Sequence, residues 1–247
     1  MDLPRCFRLS LPVVAALAFG GCFAEVDSTD VTTDSLFANA KFTSSDGVAT
    51  DVRVALTVGG ASGTAVVLRN GDRLAASARG RTLPLAQRDD GLGNITYGAT
   101  FPDGGENVAF SLEFLRGDTS SEAQSCGQTS AVGSFVFMPR PFEVAPMMAG
   151  VTLRSRPLLS WSNTGPSPMN VDLRGSCVVG GRARIVDVGA FEVPAAWMAT
   201  LYPNGPIGCT VRVEVSRCAT GEVSRGFGEG GIISACQERT SSFRVTP

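Results

Sequence analysis

Short apolar alternations, separated by turn residues, run through this chain and constrain its fold more than any other feature. The stretch 52–58 has valine or leucine at every second position, and 108–114 repeats the pattern with valine, phenylalanine and leucine. TVRVEV at 210–215 repeats it again. A period of two is typical of half-buried β-strands. The 29 glycines and 14 prolines supply turns between these runs. The sequence therefore predicts an all-β sandwich or barrel fold.

The spacing of the runs predicts two tandem β-sandwich domains. The first covers residues 49–142 and is Ig-like by its strand rhythm, and the second covers 143–247. Asn70-Gly71 lies between two apolar stretches of the first domain, and this dipeptide favours the type I′ turn of a tight β-hairpin. Residues 22–48 are rich in Asp, Ser and Thr, which is typical of a solvated, flexible tether.

The first residues have the layout of a secretory signal peptide. Arg5 and Arg8 form a basic head, and an apolar run from Leu9 to Phe19 follows, interrupted by Ser10 and Pro12. This run falls short of the roughly 20 apolar residues that a membrane-spanning helix needs. The segment therefore predicts export from the cytosol.

The end of the segment, FGGC at residues 19–22, resembles the lipobox of bacterial lipoproteins, with Phe19 where that family usually has leucine. The resemblance implies that residues 1–21 are a lipoprotein signal peptide and that Cys22 becomes the lipidated N-terminus. Two or more acyl chains anchor a protein stably. Phe23 replaces the aspartate that marks inner-membrane retention in the family. The resemblance thus implies a lipid-anchored protein of the cell envelope, at the outer membrane. The alternative is an ordinary signal peptide with an incidental cysteine.

The C-terminal half resembles a fibronectin type III module. Trp161 lies on an early strand, in RPLLSWS, and the TVRVEV strand comes late. The tyrosine that the module usually carries near its sixth strand is missing, and Cys209 lies close to that place. The resemblance implies a sandwich in which loops 163–170 and 219–235 fall at the same end.

Loops at one end of a rigid sandwich often carry binding residues. Arg225, Phe227 and Glu229 would then be displayed together on the second of these loops. They are the candidate binding residues. An idle surface loop is the alternative.

Four of the seven cysteines fall in the second domain, and an exported protein can keep disulfides. Four cysteines permit three connectivities. Directly opposite residues of an antiparallel pair share a face, and their numbers add to a constant. If Cys177 faces Cys209, the residues that meet are Gly175 with Val211, Leu173 with Val213 and Val171 with Val215. One register satisfies both this disulfide and an apolar core.

The second bridge, Cys218–Cys236, would lie on the outer face and close the Gly-rich loop. In the chain-entropy model a bridge over such a loop stabilises by about 3 kcal/mol. The two other connectivities break the core parity and remain as alternatives. We expect Cys126, in the polar stretch SSEAQSCGQTS, to be a free thiol or a link to another chain.

The chain has no histidine, and Lys41 is its only lysine. The absence of histidine removes the usual general base, the Ser-His and Cys-His pairs, and most zinc and iron sites. The net charge of −2 gives no reason to expect nucleic acid. We expect no cofactor, no metal and no catalytic residue. The expected partners are the membrane, through the lipid on Cys22, and an unknown protein or glycan.

These features together predict a non-catalytic, lipid-anchored binding, adhesion or structural module. One alternative is a carbohydrate-binding lipoprotein, for which Tyr97, Trp197, Tyr202 and Phe227 are the available aromatic residues. The other is a hydrolase that uses paired carboxylates, which would need two acids in one cleft with raised pKa values.

Overall fold

The structure is a computed structural model that describes residues 25–89, 94–120, 123–124, 126–146, 150–153, 155–201 and 208–246. The predicted signal peptide and Cys22 lie outside the described residues. Within them, no helix has the length and apolar character needed to cross a membrane.

The predicted all-β fold is confirmed. Besides short helical turns, which include 3-10 helices at Ser28–Asp30 and Thr33–Ser35, the regular structure of the described residues is β-strand. In chain order the strands are β1 Glu25–Asp27, β2 Leu36–Ser44, β3 Thr50–Val58, β4 Thr64–Val67, β5 Arg73–Ala78, β6 Arg81–Pro84, β7 Ala86–Asp89, β8 Ile95–Phe101, β9 Ala109–Leu115, β10 Ala131–Phe137, β11 Val151–Thr152, β12 Leu158–Ser160, β13 Met169–Gly175, β14 Gly181–Ile185, β15 Ala190–Glu192, β16 Cys209–Thr220 and β17 Gly231–Thr246.

One large sheet runs through both halves of the chain. Its main path is β1-β4-β3-β2-β17-β16-β13-β14, and β7, β8 and β11 join it at the sides. A four-stranded sheet has the order β10-β9-β5-β6, and β12 pairs with β15. The long strand β17 makes the connection between halves, because residues 231–237 pair parallel with β2 while the strand also pairs along β16.

The first core lies between the large sheet and the four-stranded sheet. Phe42 and Val54 enter it from the large sheet, and Phe110 and Phe114 from the smaller one, all fully buried. The alternations at 52–58 and 108–114 therefore face this core, with Val58 only partly buried at its edge. The second core lies between the other end of the large sheet and the β12–β15 pair.

Both cores lie on the same face of the large sheet. Odd-numbered residues of β17 contact the first core at Ile233 and the second at Phe243. Between the cores, Arg217 and Gln237 are paired in register and buried. Arg217 binds Asp187, which also accepts a hydrogen bond from the indole of Trp161. A buried polar junction thus separates two cores that share one sheet.

The structure corrects the predicted tether over 22–48. The described part of this segment, from residue 25, forms β1, the two 3-10 helices and β2, and Leu36, Ala38, Ala40 and Phe42 are buried in the first core. The Asp- and Ser-rich composition hid an apolar alternation from 36 to 42. The first unit therefore begins before residue 49, and it also includes the tip of the β16–β17 hairpin.

The Asn70-Gly71 turn has the predicted backbone conformation, but it joins strands of two different sheets instead of closing a hairpin. Both residues have positive φ, 50° and 84°, as a type I′ turn requires. The strands on its two sides do not pair, however, because β4 belongs to the large sheet and β5 to the four-stranded sheet. A tight hairpin does occur one turn later, where Arg79-Gly80 joins β5 to β6.

Candidate functional site

The face of the large sheet that turns away from both cores is polar. Strand side chains alternate between faces, so Val211, Val213 and Val215 of β16 are buried while Arg212 is exposed and Glu214 is half-buried. The same alternation holds along β13, β14 and β17. Charged residues from four adjacent strands are therefore collected on one outer surface.

A groove of about 440 Å³ crosses this surface and is the candidate site. We call it the charged groove. Its lining residues are Lys41, Asn170, Val171, Asp172, Arg174, Arg182, Ala183, Arg184, Glu214, Ser216, Cys218, Cys236 and Glu238.

Two arginines hold Asp172 at one side of the charged groove. Arg174 donates to both carboxylate oxygens, at 2.9 and 2.6 Å, and Arg182 donates to one of them at 2.5 Å. The hydrogen bond from Arg174, and then that from Arg182, lowers the pKa of Asp172 below its ordinary value. Asp172 is therefore a fixed negative charge at neutral pH.

Glu214 lies directly opposite Asp172 on the neighbouring strand, with Thr240 on its other side. No basic side chain among the described residues comes within ion-pair distance of it. Two carboxylates placed directly across an antiparallel pair repel each other. Glu214 thus adds a negative charge that the fold does not neutralise by a direct ion pair.

A positive charge without an ion pair also lies at the edge of the charged groove. Arg184 on β14 is exposed and has no ion pair within the described part of the chain. Lys41, by contrast, donates to Glu238 at 2.6 Å. The charged groove therefore presents one carboxylate and one guanidinium that are available to a ligand.

Both predicted disulfides of the second unit are present, Cys177–Cys209 and Cys218–Cys236. The register between β13 and β16 is the predicted one, with Leu173 opposite Val213. Cys218 faces Cys236 directly across β16 and β17, and this bridge lines the charged groove. The two alternative connectivities are excluded.

Cys126 corrects another expectation. It is disulfide-bonded rather than free. The sequence around it gave no partner, because a loop residue has no strand parity against which a pairing could be tested.

The candidate binding residues Arg225, Phe227 and Glu229 are not displayed together. Phe227 is buried in the first core, where its ring stacks on Phe114 at 6.4 Å between centroids. Glu229 accepts a hydrogen bond from the backbone N–H of Gly60 at 2.7 Å, and Arg225 is exposed. The stretch 219–235 is therefore a hairpin tip that packs on the first unit, not a free loop at the end of the second.

Close packing explains why this tip is rich in glycine. A Cβ on Gly221 would overlap the backbone of Phe135, and one on Gly228 would overlap the backbone of Asp34. The other loop, 163–170, lies elsewhere, since the backbone N–H of Gly165 bonds to Asp187 at the junction between the cores.

The described aromatic residues among those proposed for carbohydrate binding are not surface platforms. Tyr97 is buried, donates to the carbonyl of Val66 at 3.0 Å, and has its pKa raised by burial. Trp197 is half-buried and packs over Gly181. Phe227 is buried, and Tyr202 lies outside the described residues.

An exposed aromatic pair was missed at the sequence level. Phe135 and Phe137 on β10 are 37% and 51% exposed, with ring centroids 5.9 Å apart. They lie beside Ser111 and Ala109 of β9. The alternation Phe-Val-Phe in SFVFM is the signal that could have identified them.

The geometry gives no support to the carboxylate-hydrolase alternative. Such a pair needs one carboxylic acid with a raised pKa to act as general acid, whereas the pKa of Asp172 is lowered. Among the described residues, no group of three or more acidic or cysteine side chains is arranged to hold a metal. The arrangement can bind charged groups.

No family model matches the sequence, and no curated protein matches it. Among solved structures, the chain is similar to the crystal structure of the chicken CNTN1 FN1–FN3 domains, with a TM-score of 0.30 and 10% identity. The match covers 85% of this chain and 69% of that one. The fold is a β-sandwich.

Proposed function

We propose that this protein is a non-catalytic, lipid-anchored binding module of the cell envelope, and that the charged groove is its ligand-binding surface. The observation that carries the binding role is the pair of unneutralised charges, Glu214 and Arg184, in an open groove on a rigid sheet. The ligand that fits carries both a cationic and an anionic group, as a short peptide with lysine and glutamate does.

The rigidity of the sheet supports this role. Two of the strands that carry the charged groove, β16 and β17, are bridged by Cys218–Cys236 and pack on a buried core. A preorganised site does not lose binding free energy to ordering of the receptor.

Because Asp172 and Glu214 repel each other, a substitution of Glu214 should affect protein stability and ligand binding in opposite directions. We expect Glu214→Gln to keep or raise stability, by about 0.2–1 kcal/mol, because it removes a repulsion between directly opposite carboxylates. The same change should weaken binding to an array of peptides that carry both lysine and glutamate.

Arg184→Gln should also weaken peptide binding. The matched control is Arg244→Gln, which removes an exposed arginine from the same face outside the charged groove. Peptide binding that is unchanged in both Glu214→Gln and Arg184→Gln would contradict the charged groove as the site.

The lipid anchor rests on the lipobox-like FGGC at 19–22. Because β1 begins at Glu25, an anchor at Cys22 would hold the folded unit within about 11 Å of the membrane, given the reach of three extended residues. The position is membrane-proximal, which suits a ligand presented at the membrane surface.

Intact-mass measurement of protein extracted from membranes tests this anchor. We expect a mass that begins at Cys22 and includes added acyl groups, and Cys22→Ser should abolish both. Peptide mapping without reductant should then identify the partner of Cys126. A Cys22–Cys126 peptide would contradict the anchor, because a sulfur in a disulfide cannot also carry a thioether-linked lipid.

Glycan binding is the second candidate function, and the exposed Phe135–Phe137 pair favours it. Aromatic rings on a sheet face offer apolar area to a ring-shaped ligand. Glycan-array binding that is lost in Phe135→Ser/Phe137→Ser and retained in Glu214→Gln would support this function. Retention of glycan binding in the double variant would exclude the pair as the site.

A further inference from the structure

The main path of the large sheet ends in two short strands that carry opposite charges. β1 is the first strand of its main path and β14 is the last. Within the described residues, β1 pairs only with β4 and β14 only with β13. The open side of each strand presents unpaired backbone groups, and such an edge is a template for a further strand.

The charges of the two edges are complementary. β1 has the sequence Glu-Val-Asp, with Glu25 and Asp27 exposed and the valine packed against the first core. β14 contains Arg-Ala-Arg, with Arg182 and Arg184 exposed and the alanine on the core side, opposite Val171. Each edge therefore alternates two like charges with one apolar residue.

Both edges point their charges to the same face of the sheet. If β1 of one molecule lay beside β14 of another, the sheet would continue with all four charged side chains on the outer face. In an antiparallel register Glu25 meets Arg184 and Asp27 meets Arg182, and a parallel register exchanges the partners. Either arrangement makes two cross-strand pairs of opposite charge, which stabilise a sheet.

We propose that this protein self-associates head to tail, with β1 of one copy added to β14 of the next. A contact between two different surfaces of identical molecules generates an open chain unless the rotation closes it into a ring. This inference goes beyond the proposed function and does not depend on the lipid, but it engages Arg182 and Arg184, which also line the charged groove.

The same charges disfavour a symmetric dimer. Pairing of β14 with β14 would place arginine opposite arginine, and pairing of β1 with β1 would place acid opposite acid. Charged edge strands commonly prevent edge-to-edge pairing. Here charge repulsion disfavours pairing of two identical edges, but it does not disfavour pairing of β1 with β14.

The ion pairs that already exist at the two edges leave the side chains of the edge strands at least half exposed. Asp27 contacts Arg69 at 3.3 Å, with both side chains at least half exposed. Arg182 contacts Asp172, and its own side chain is 72% exposed. Exposed ion pairs contribute little to stability, so neither one blocks the proposed contact.

Sedimentation velocity of the purified protein over a concentration series tests the proposal. We expect the average mass to rise with concentration and the association to weaken at high salt, because salt screens exposed charges. Glu25→Lys/Asp27→Lys and Arg182→Glu/Arg184→Glu should each weaken the association by about tenfold or more, since attractive pairs become repulsive.

Sedimentation of a mixture of the two charge-reversal variants is the most discriminating experiment. The first variant has two positive edges and the second has two negative ones, so each alone repels itself while the mixture recovers both contacts. Arg53→Glu/Arg244→Glu is the control, since it makes the same charge change as the second variant on interior strands of the same face. Circular dichroism verifies that each variant is folded.

Recovery of association in the mixture, with an unaffected control, supports head-to-tail pairing. A wild-type protein that stays monomeric at the highest attainable concentration overturns it. Association that survives either charge reversal, or that the control abolishes equally, overturns it as well.

Discussion

Arg116 shows how a single side chain can order a segment that looks disordered in the sequence. Its guanidinium donates to the carbonyls of Ser28 at 2.6 Å and Val31 at 2.8 Å, to the Thr33 hydroxyl at 3.0 Å, and to Asp72 at 2.8 Å. The two side chains of the ion pair are 2% and 4% exposed. One arginine therefore supplies hydrogen bonds to the turns between β1 and β2 and holds these turns on the first unit.

No sequence pattern could have revealed this role. The backbone partners of Arg116 lie more than 80 residues earlier in the chain, and the segment has a composition typical of solvated linkers. Composition reports the average solvation of a segment. It does not report a buried cation that is contributed from elsewhere in the fold.

We expect Arg116→Met to lower the free energy of unfolding by about 3–5 kcal/mol, because it leaves the Asp72 carboxylate buried without its cation. Urea denaturation followed by circular dichroism measures this loss. Arg53→Met is the control, since the Arg53 side chain is 68% exposed, and it should change stability by less than about 0.5 kcal/mol. Equal stability of Arg116→Met and Arg53→Met would contradict the role assigned to Arg116.

At the scale of the elements, the sequence predicted local backbone geometry well, but it predicted only some of the strand pairings. The β13–β16 register followed from parity, because the Cys177–Cys209 bridge and the valines of β16 had to agree on one face. The turn at Asn70-Gly71 followed from its residue types, but its hairpin did not form. A turn sequence fixes backbone angles and leaves open which sheet each adjoining strand enters.

The hairpin tip between β16 and β17 is the clearest error of this kind. Its glycines and its disulfide suggested a displayed loop, whereas Phe227 belongs to the first core. The candidate site in the structure also differs from the predicted binding loop, because the sequence does not show which strands become neighbours. The charged groove collects residues from five strands, β2, β13, β14, β16 and β17, and only the order of strands in the sheet brings them together.

We expect Phe227→Ala to cost about 3–5 kcal/mol of stability, because it leaves a cavity beside Phe114 in the first core. Peptide binding at the charged groove should persist in the folded variant, since the groove lies on the opposite face of the sheet. Arg225→Ala is the matched control on the same tip, where the side chain is exposed. A Phe227→Ala protein with wild-type stability would show that the tip does not pack on the core.

For the whole molecule, the shared strand β17 decides how the two units respond to each other. Its residues 231–237 pair with β2 of the first unit, and its residues 234–245 pair with β16 of the second. Neither core can lose its part of the large sheet without exposing the buried junction at Arg217 and Gln237. Unfolding of the first unit would remove the Gly104 carbonyl that accepts a hydrogen bond from buried Gln237, which favours a single cooperative transition.

The positions of the tryptophans make this coupling measurable. Both tryptophans of the chain, Trp161 and Trp197, pack in or against the second core, so their fluorescence reports that unit. Leu112→Ala removes a buried side chain from the first core and should cost about 2–5 kcal/mol. Because the units share β17, we expect the fluorescence midpoint in urea to fall together with the midpoint from circular dichroism. A fluorescence midpoint that stays at the wild-type value while circular dichroism becomes biphasic would mean that the large sheet divides at the junction and the two cores unfold separately.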